Sequence, residues 1–210
     1  GWSGGRQLLV DLEGHGRHDE LFAELDLTRT VGWFTNVYPV WLDLAGKADP
    51  GAALKHVKEE LRRVPNRGLG YGVLRYMKED LRAIPTAQIR FNYHGQLDNV
   101  LPPDSIFTLS HGSTGAERGA QQRRPYLLDI VALVSDGRLQ LTVSYSDRIY
   151  QSATIEKFAD LIVASLRSII DHCQSLESAR FSPSDFPLAN LNQQQLDRIL
   201  SRAIGGIESK

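Results

Sequence analysis

The feature that most constrains the fold is an apolar segment that ends in a glycine turn. Residues 7–13 (QLLVDLE) are mostly apolar, and residues 14–16 (GHG) follow them directly. The apolar run predicts a β-strand buried on both faces, and the two glycines permit turn conformations that other residues avoid. The segment therefore predicts a buried strand that runs directly into a tight turn.

The rest of the chain continues this pattern with a mixed order of strands and helices. Further strands are predicted at residues 30–42, 88–93, 125–135 and 138–146, and helices at 18–25, 50–64, 73–81, 154–173 and 193–204. Asp49 is a suitable N-cap for the second helix, which Pro50 begins, and Asp136-Gly137 is a strong hairpin turn. The predicted fold class is α/β, with helices packed on a mixed β-sheet.

Composition excludes several classes of protein. The 210 residues are 41% hydrophobic and 23% charged, with a net charge of −1, which is typical of a globular domain and lacks the basic excess of a nucleic-acid binder. No apolar run approaches the roughly 20 residues that span a bilayer, and no secretory signal is visible. The single cysteine, Cys173, excludes an intrachain disulfide. We therefore expect a cytoplasmic protein, and the start at Gly1 without methionine suggests a fragment of a longer chain.

The segment of residues 13–17 (EGHGR) is a candidate for acid–base chemistry. Glu13 ends a buried strand beside a glycine turn, where a carboxylate is placed to act as a general base. His15 is an alternative base, and Arg17 is a candidate to pair with Glu13 or to hold a substrate oxygen. The alternative interpretation is a tight turn with a salt bridge.

Other motifs give weaker signals. Residues 68–72 (GLGYG) lack the lysine and hydroxyl residue of a nucleotide-binding loop, so a flexible turn is favoured over a phosphate site. The six histidines are scattered, and no metal site is predicted. The polar stretch of residues 98–124 predicts a long loop, which in compact domains is usually functional or disordered.

Four segments, in this order, resemble the motifs of nonribosomal peptide synthetase epimerization domains. They are residues 13–17 (EGHGR), 29–39 (RTVGWFTNVYP), 64–72 (VPNRGLGYG) and 91–98 (FNYHGQLD). The resemblance covers about residues 8–98, and residues 126–173 resemble the rest of the domain more loosely. This chain departs from the family where it has His18 in place of glutamate, and where His94 and Leu97 replace leucine and phenylalanine.

The resemblance implies a chloramphenicol acetyltransferase-like fold of two lobes. The family's His-His-x-x-x-Asp-Gly motif lies on the N-terminal lobe, and this chain has no His-His pair. Residues 1–181 are therefore identified as the C-terminal lobe, with the loop at 98–124 as the bridge between lobes. Residues 182–210 are expected to form a linker and a C-terminal helix.

The resemblance also implies an activity: inversion of the α-carbon of an aminoacyl or peptidyl group held as a thioester on the phosphopantetheine of a peptidyl carrier protein. It assigns catalysis to Glu13, Asn92 and Tyr93, and substrate binding to His15, Arg17, Trp33 and Tyr71. The second group of the acid–base pair would be the histidine of the absent N-terminal lobe, and Arg17 would support Glu13. No metal, flavin or pyridoxal cofactor is implied.

Two alternatives remain open at this point. A condensation domain has the same fold but forms peptide bonds, and a non-catalytic lobe would only dock a carrier protein. A downstream condensation domain is a further expected partner, whereas nucleic acid and membrane are not. Residues 1–210 alone are expected to be inactive, because half of the acid–base pair is absent.

Overall fold

The computed structural model describes most of the chain. Its described residues are 4–18, 24–78, 80–100, 104–107, 112, 115, 119, 121–175 and 181–205. About half of the loop predicted at 98–124, and most of the helix predicted at 18–25, lie outside these ranges.

The described strands form one five-stranded mixed sheet. The strands are β1 (Gln7–Gly14), β2 (Asn36–Asp43), β3 (Ile89–Gln96), β4 (Leu128–Ser135) and β5 (Arg138–Ser144), in the spatial order β2-β1-β3-β4-β5. The central pairs β1–β3 and β3–β4 are parallel, and the outer pairs β1–β2 and β4–β5 are antiparallel. The predicted α/β class with a mixed sheet is confirmed.

The described part of the chain contains three α-helices. They are α1 (Pro50–Arg63), α2 (Ser152–Ser175) and α3 (Gln193–Gly205). The helix predicted at 73–81 is shorter, a single π-helical turn at Val73–Met77, and short 3₁₀ turns lie at Pro65–Gly68, Leu97–Asn99, Pro183–Asp185 and Pro187–Ala189. Of the helices that the structure describes, none combines the length and the apolar character needed to span a bilayer.

The local signals for caps and turns are confirmed. Asp49 Oδ2 accepts a hydrogen bond from the Ala52 amide at 2.8 Å, and Pro50 begins α1. Asp136 and Gly137 have φ angles of 54° and 65°, as a two-residue hairpin turn between β4 and β5 requires.

The two faces of the sheet differ in chemistry. On one face, Val10 and Phe91 line a cavity whose other wall includes Val57 of α1 and Phe158 of α2, so both helices cover this side. The opposite face carries charged side chains of β1, β3 and β4. The prediction that β1 is buried on both faces is wrong. Only Val10 of this strand is buried, and the positions that alternate with it include the acids Asp11 and Glu13.

The segment after α2 packs against α1. Asp185 contacts Lys58 Nζ at 2.5 Å and Arg62 Nη1 at 2.9 Å, and the Ser182 side chain is fully buried. Lys55 of α1 reaches Asp197 of α3 at 3.4 Å. The predicted boundary at residue 182 stays a prediction, and these contacts attach the segment beyond it to the lobe.

Candidate functional site

Glu13 lies near the carboxyl end of β1, and strand alternation places its side chain on the polar face, opposite the face of Val10. Its Oε2 is 3.2 Å from Nη1 of Arg90 on the neighbouring strand β3, and its side chain is 13% exposed. The parallel register pairs Asp11 with Arg90, so the odd-numbered acids of β1 face the Arg90 side chain. Glu13 is therefore a partly shielded carboxylate held by one cation.

Arg90 is fixed in turn by Asp129 of β4. Arg90 Nε and Nη2 donate to Asp129 Oδ1 and Oδ2 at 2.9 and 2.7 Å, a bidentate pair. The guanidinium carbon also lies 5.3 Å from the centroid of the Tyr126 ring. The hydrogen bonds to Asp129 raise the pKa of Arg90, which keeps this side chain charged.

A third acid, Asp11, lies beside this network. Tyr126 Oη donates to Asp11 Oδ2 at 2.8 Å. Burial raises the pKa of Asp11, and burial together with this hydrogen bond raises the pKa of Tyr126. The polar face thus continues from Glu13 through Arg90 to a half-buried tyrosine–aspartate pair.

The turn after β1 is closed by a contact between backbones. Gly16 has φ of 67°, and a Cβ built there would lie 1.5 Å from the Phe34 carbonyl oxygen. His15 Nδ1 accepts a hydrogen bond from the Arg17 amide at 3.0 Å, and the rings of His15 and His18 are 4.7 Å apart. Only glycine fits at position 16 without displacing the chain at Phe34.

Arg17 binds backbone carbonyls. It donates to the carbonyls of Leu27, Thr30 and Gly32 at 3.2, 2.8 and 2.8 Å. Its guanidinium carbon lies 4.7 Å from the Phe34 ring centroid. The expectation that Arg17 supports Glu13 is not what the structure shows, because the guanidinium on Glu13 belongs to Arg90.

These hydrogen bonds of Arg17 to backbone carbonyls, the Arg17 clamp, explain why β2 begins later than predicted. A strand was predicted from residue 30, but β2 begins at Asn36. Arg17 takes the carbonyls of Thr30 and Gly32, which a sheet ladder would otherwise use. Trp33 lies in this clamped segment and is 79% exposed, so it contributes to the surface around the turn.

Asn92 and Tyr93 lie on opposite faces of β3, because side chains alternate along a strand. Asn92 shares the face of Arg90, is buried, and its Nδ2 lies 3.0 Å from His94 Nε2. Tyr93 is 51% exposed and lines a cavity of about 650 Å³ together with Phe158 of α2. The structure brings Asn92, and not Tyr93, to the face that carries Glu13.

Tyr71 lies beside the Asp11 end of the polar face. Burial raises its pKa, and the charge of Asp11 adds to this rise, while Arg75 opposes it. The Arg75 guanidinium carbon lies 6.0 Å from the Tyr71 ring centroid. Among the residues that the structure describes, no group of three or more histidine, cysteine or acidic side chains is arranged to hold a metal ion.

Comparison with known proteins decides the family. The model of the Condensation domain family matches residues 1–191. The chain belongs to the condensation-domain family. Its mixed five-stranded sheet with helices is the fold of that family, as the prediction of a chloramphenicol acetyltransferase-like lobe required.

Condensation-domain relatives with similar sequences belong to peptide synthetases. The chain is 43% identical over 207 residues to a large polypeptide of the linear gramicidin synthase of Brevibacillus parabrevis, covering 96% of this chain and 3% of the relative. It is 38% identical over 204 residues to tyrocidine synthase 2 of the same organism, covering 95% of this chain and 6% of the relative. The chain thus spans less than a tenth of the length of these relatives.

A solved structure with the same fold is the epimerization domain from the third module of tyrocidine synthetase B. The similarity has a TM-score of 0.74 and 38% sequence identity, and it covers 83% of this chain and 39% of that domain. This chain therefore corresponds to part of a condensation-family domain of the nonribosomal peptide synthetase type.

Sequence reasoning missed Arg90, Asp129, Asp11 and Tyr126 in this condensation-family lobe. One signal was available: Arg90 and Asp129 are charged residues inside otherwise apolar strands. Charged side chains at such positions are seldom buried without a partner. Finding that partner required the pairing of β3 with β4, which motif spacing does not specify.

Proposed function

We propose that this chain is the C-terminal lobe of an epimerization domain, which inverts the α-carbon of an aminoacyl or peptidyl thioester. The observation that carries the proposal is the position of Glu13 in a fold similar to a solved epimerization domain. Glu13 is the carboxylate of the EGHGR segment, it lies near the end of a central strand, and its Oε2 is 3.2 Å from Nη1 of Arg90 on the neighbouring strand.

The chemistry needs one group that removes a proton and another that returns one. A thioester acidifies its α-hydrogen, because the electrons of the broken C–H bond delocalise onto the carbonyl as an enolate. The base takes the proton on one face, and an acid on the other face protonates the α-carbon, so atoms and charge balance over the cycle. In the proposal Glu13 is one member of this pair, and a histidine of an N-terminal lobe is the other.

The other side chains of this lobe support the reaction from fixed positions. Asn92, on the face of Glu13, is proposed to orient the substrate carbonyl or enolate. Arg17 holds the segment that carries Trp33 in place, and His15 shapes the turn. Tyr71 borders the substrate space, whereas Tyr93 contributes from the opposite side of the sheet.

The proposed partners follow from the relatives. These are large synthetases, of which the chain spans 3% and 6% in the two described above. A peptidyl carrier protein with a phosphopantetheine arm would deliver the thioester, an N-terminal lobe would complete the cleft, and a condensation domain would follow downstream. In this proposal no cofactor is bound by the lobe itself.

The test is the exchange of the α-hydrogen in the synthetase domain that contains residues 1–210. With an α-deuterated aminoacyl group on the carrier protein, we expect Glu13→Gln to slow loss of the label by 10²- to 10⁴-fold, roughly the contribution of a general base. Glu156→Gln is the matched control, because Glu156 is an exposed residue of α2 that accepts from Ser152 Oγ at 2.8 Å. Unchanged label loss in Glu13→Gln would exclude this residue as the base.

A second candidate function is peptide-bond formation, which the match to the Condensation family model favours. The same domain, given loaded donor and acceptor carrier proteins, separates the two. Loss of α-deuterium without a dipeptide product supports epimerization. A dipeptide formed with the label retained supports condensation.

A further inference from the structure

The polar face of the sheet places several acids around one cation. Glu13, Asp129 and Asp11 all lie on this face, and Arg90 contacts the first two. The side chains of Arg90, Glu13 and Asp129 are 20%, 13% and 8% exposed, so solvent screens them little. Without Arg90, Glu13 and Asp129 would both lose the cation that they share.

The guanidinium of Arg90 binds two carboxylates through different nitrogens. Nε and Nη2 are taken by Asp129 at 2.9 and 2.7 Å, which fixes the plane of the group. The Tyr126 ring, 5.3 Å away, limits movement out of that plane. Nη1 is the remaining nitrogen, and it lies 3.2 Å from Glu13 Oε2.

We propose that Arg90 is a positioning residue for Glu13, and that Asp129 and Tyr126 hold Arg90 in the orientation that this requires. The proposal rests on the proposed function, in which Glu13 exchanges the α-hydrogen. Within the described residues, the structure gives an ion-pair partner to Oε2 of Glu13, which leaves Oε1 as the oxygen that takes the proton. A carboxylate fixed through one oxygen presents the other in one direction, as proton transfer requires.

This arrangement explains why an arginine is needed. A lysine ammonium is a single point of charge, whereas the planar guanidinium binds one carboxylate with two nitrogens and another with the third. A lysine at position 90 would keep the positive charge on the face and lose the fixed direction. The two effects are therefore separable by substitution.

The experiment measures loss of α-deuterium in the same synthetase domain while the concentration of loaded carrier protein is varied. We expect Arg90→Met to lower kcat about 100-fold, the scale of a misplaced catalytic group, with KM for the loaded carrier protein unchanged. Arg90→Lys should recover part of this loss. Asp129→Asn, which keeps the shape of the side chain, should lower kcat about tenfold.

The control is Arg63→Met. Arg63 also pairs with a glutamate, at 2.5 Å from Glu60, but its side chain is 70% exposed on α1, so kcat should not change. Thermal melting identifies any variant that fails to fold, and if Arg90→Met does so, Arg90→Lys and Asp129→Asn still test the inference.

The outcomes separate this inference from the proposed function. If Glu13→Gln abolishes exchange while folded Arg90 and Asp129 variants keep wild-type kcat, Arg90 does not position Glu13 and only this inference fails. If the Arg90 and Asp129 variants lose activity solely through a higher KM, the inference is also wrong. If Glu13→Gln itself keeps full exchange, both proposals fail together.

Discussion

Replacement of Gly16 by alanine tests whether the turn after β1 is fixed by a backbone contact. A Cβ at this position would lie 1.5 Å from the Phe34 carbonyl oxygen, where real Cβ contacts are not closer than 3.0 Å. The backbone at Phe34 must therefore move by about 1.5 Å. This movement disturbs the contact between the Phe34 ring and the Arg17 guanidinium. Because the obstacle is backbone and not a flexible side chain, a rotamer change does not relieve it.

The magnitude follows from comparison with Gly137, which has nearly the same φ. Gly137 has φ of 65° against 67° for Gly16, and a Cβ there meets no atom within 4 Å. Gly137→Ala should cost about 1–2 kcal/mol, the penalty of an alanine in the left-handed region. Gly16→Ala should cost about 3 kcal/mol more, from overpacking and loss of charge-assisted hydrogen bonds of the Arg17 clamp.

Urea unfolding of the two variants, followed by circular dichroism, measures this difference. We expect the midpoint of Gly16→Ala to lie well below that of Gly137→Ala, because about 3 kcal/mol is a large share of the 5–15 kcal/mol that stabilises a typical domain. Equal midpoints would refute the close approach of Gly16 to Phe34.

Two further predictions concern the contacts of α1. Asp185→Asn should lower the free energy of unfolding by about 1–2 kcal/mol at neutral pH, because Lys58, the Ser182 amide and Arg62 hold the pKa of Asp185 well below its usual range. This stabilisation is present above the ordinary carboxyl pKa of 3.8 and is lost as the pH falls below it, so urea midpoints of the two proteins should converge in acid. Asp49→Ala should lower the free energy of unfolding by about 1 kcal/mol, because the Ala52 amide loses the carboxylate that accepts its hydrogen bond. An unchanged thermal midpoint would contradict this capping role.

The elements with local signals were predictable from the sequence. Asp49-Pro50 begins α1, and Asp136-Gly137 joins β4 to β5, because a cap and a two-residue turn depend on neighbouring residues alone. The amphipathic helix predicted at 154–173 lies within α2, which extends it by two residues at each end. The family was also predictable, because its motifs are contiguous segments.

The errors arose where distant segments meet. The start of β2 was misplaced because Arg17 captures carbonyls of the segment before it, and propensity does not include such a contact. Arg90 was missed because its partners lie on two other strands, and the order β1-β3-β4 brings them together. The placement of Asn92 and Tyr93 on opposite faces follows from strand alternation alone, so this feature was predictable from the sequence.

The spatial order of the strands also affects how the lobe is made on the ribosome. β1 and β2 are close in sequence and antiparallel, so they are the first strands that can pair as the chain emerges. The parallel partner of β1 is β3, which is synthesised only after α1. Glu13 therefore gains its cation late, since Arg90 arrives with β3 and is fixed only when β4 supplies Asp129. The proposed catalytic carboxylate therefore acquires its final surroundings only when β4 joins the sheet, which couples maturation of the site to the pairing of three strands.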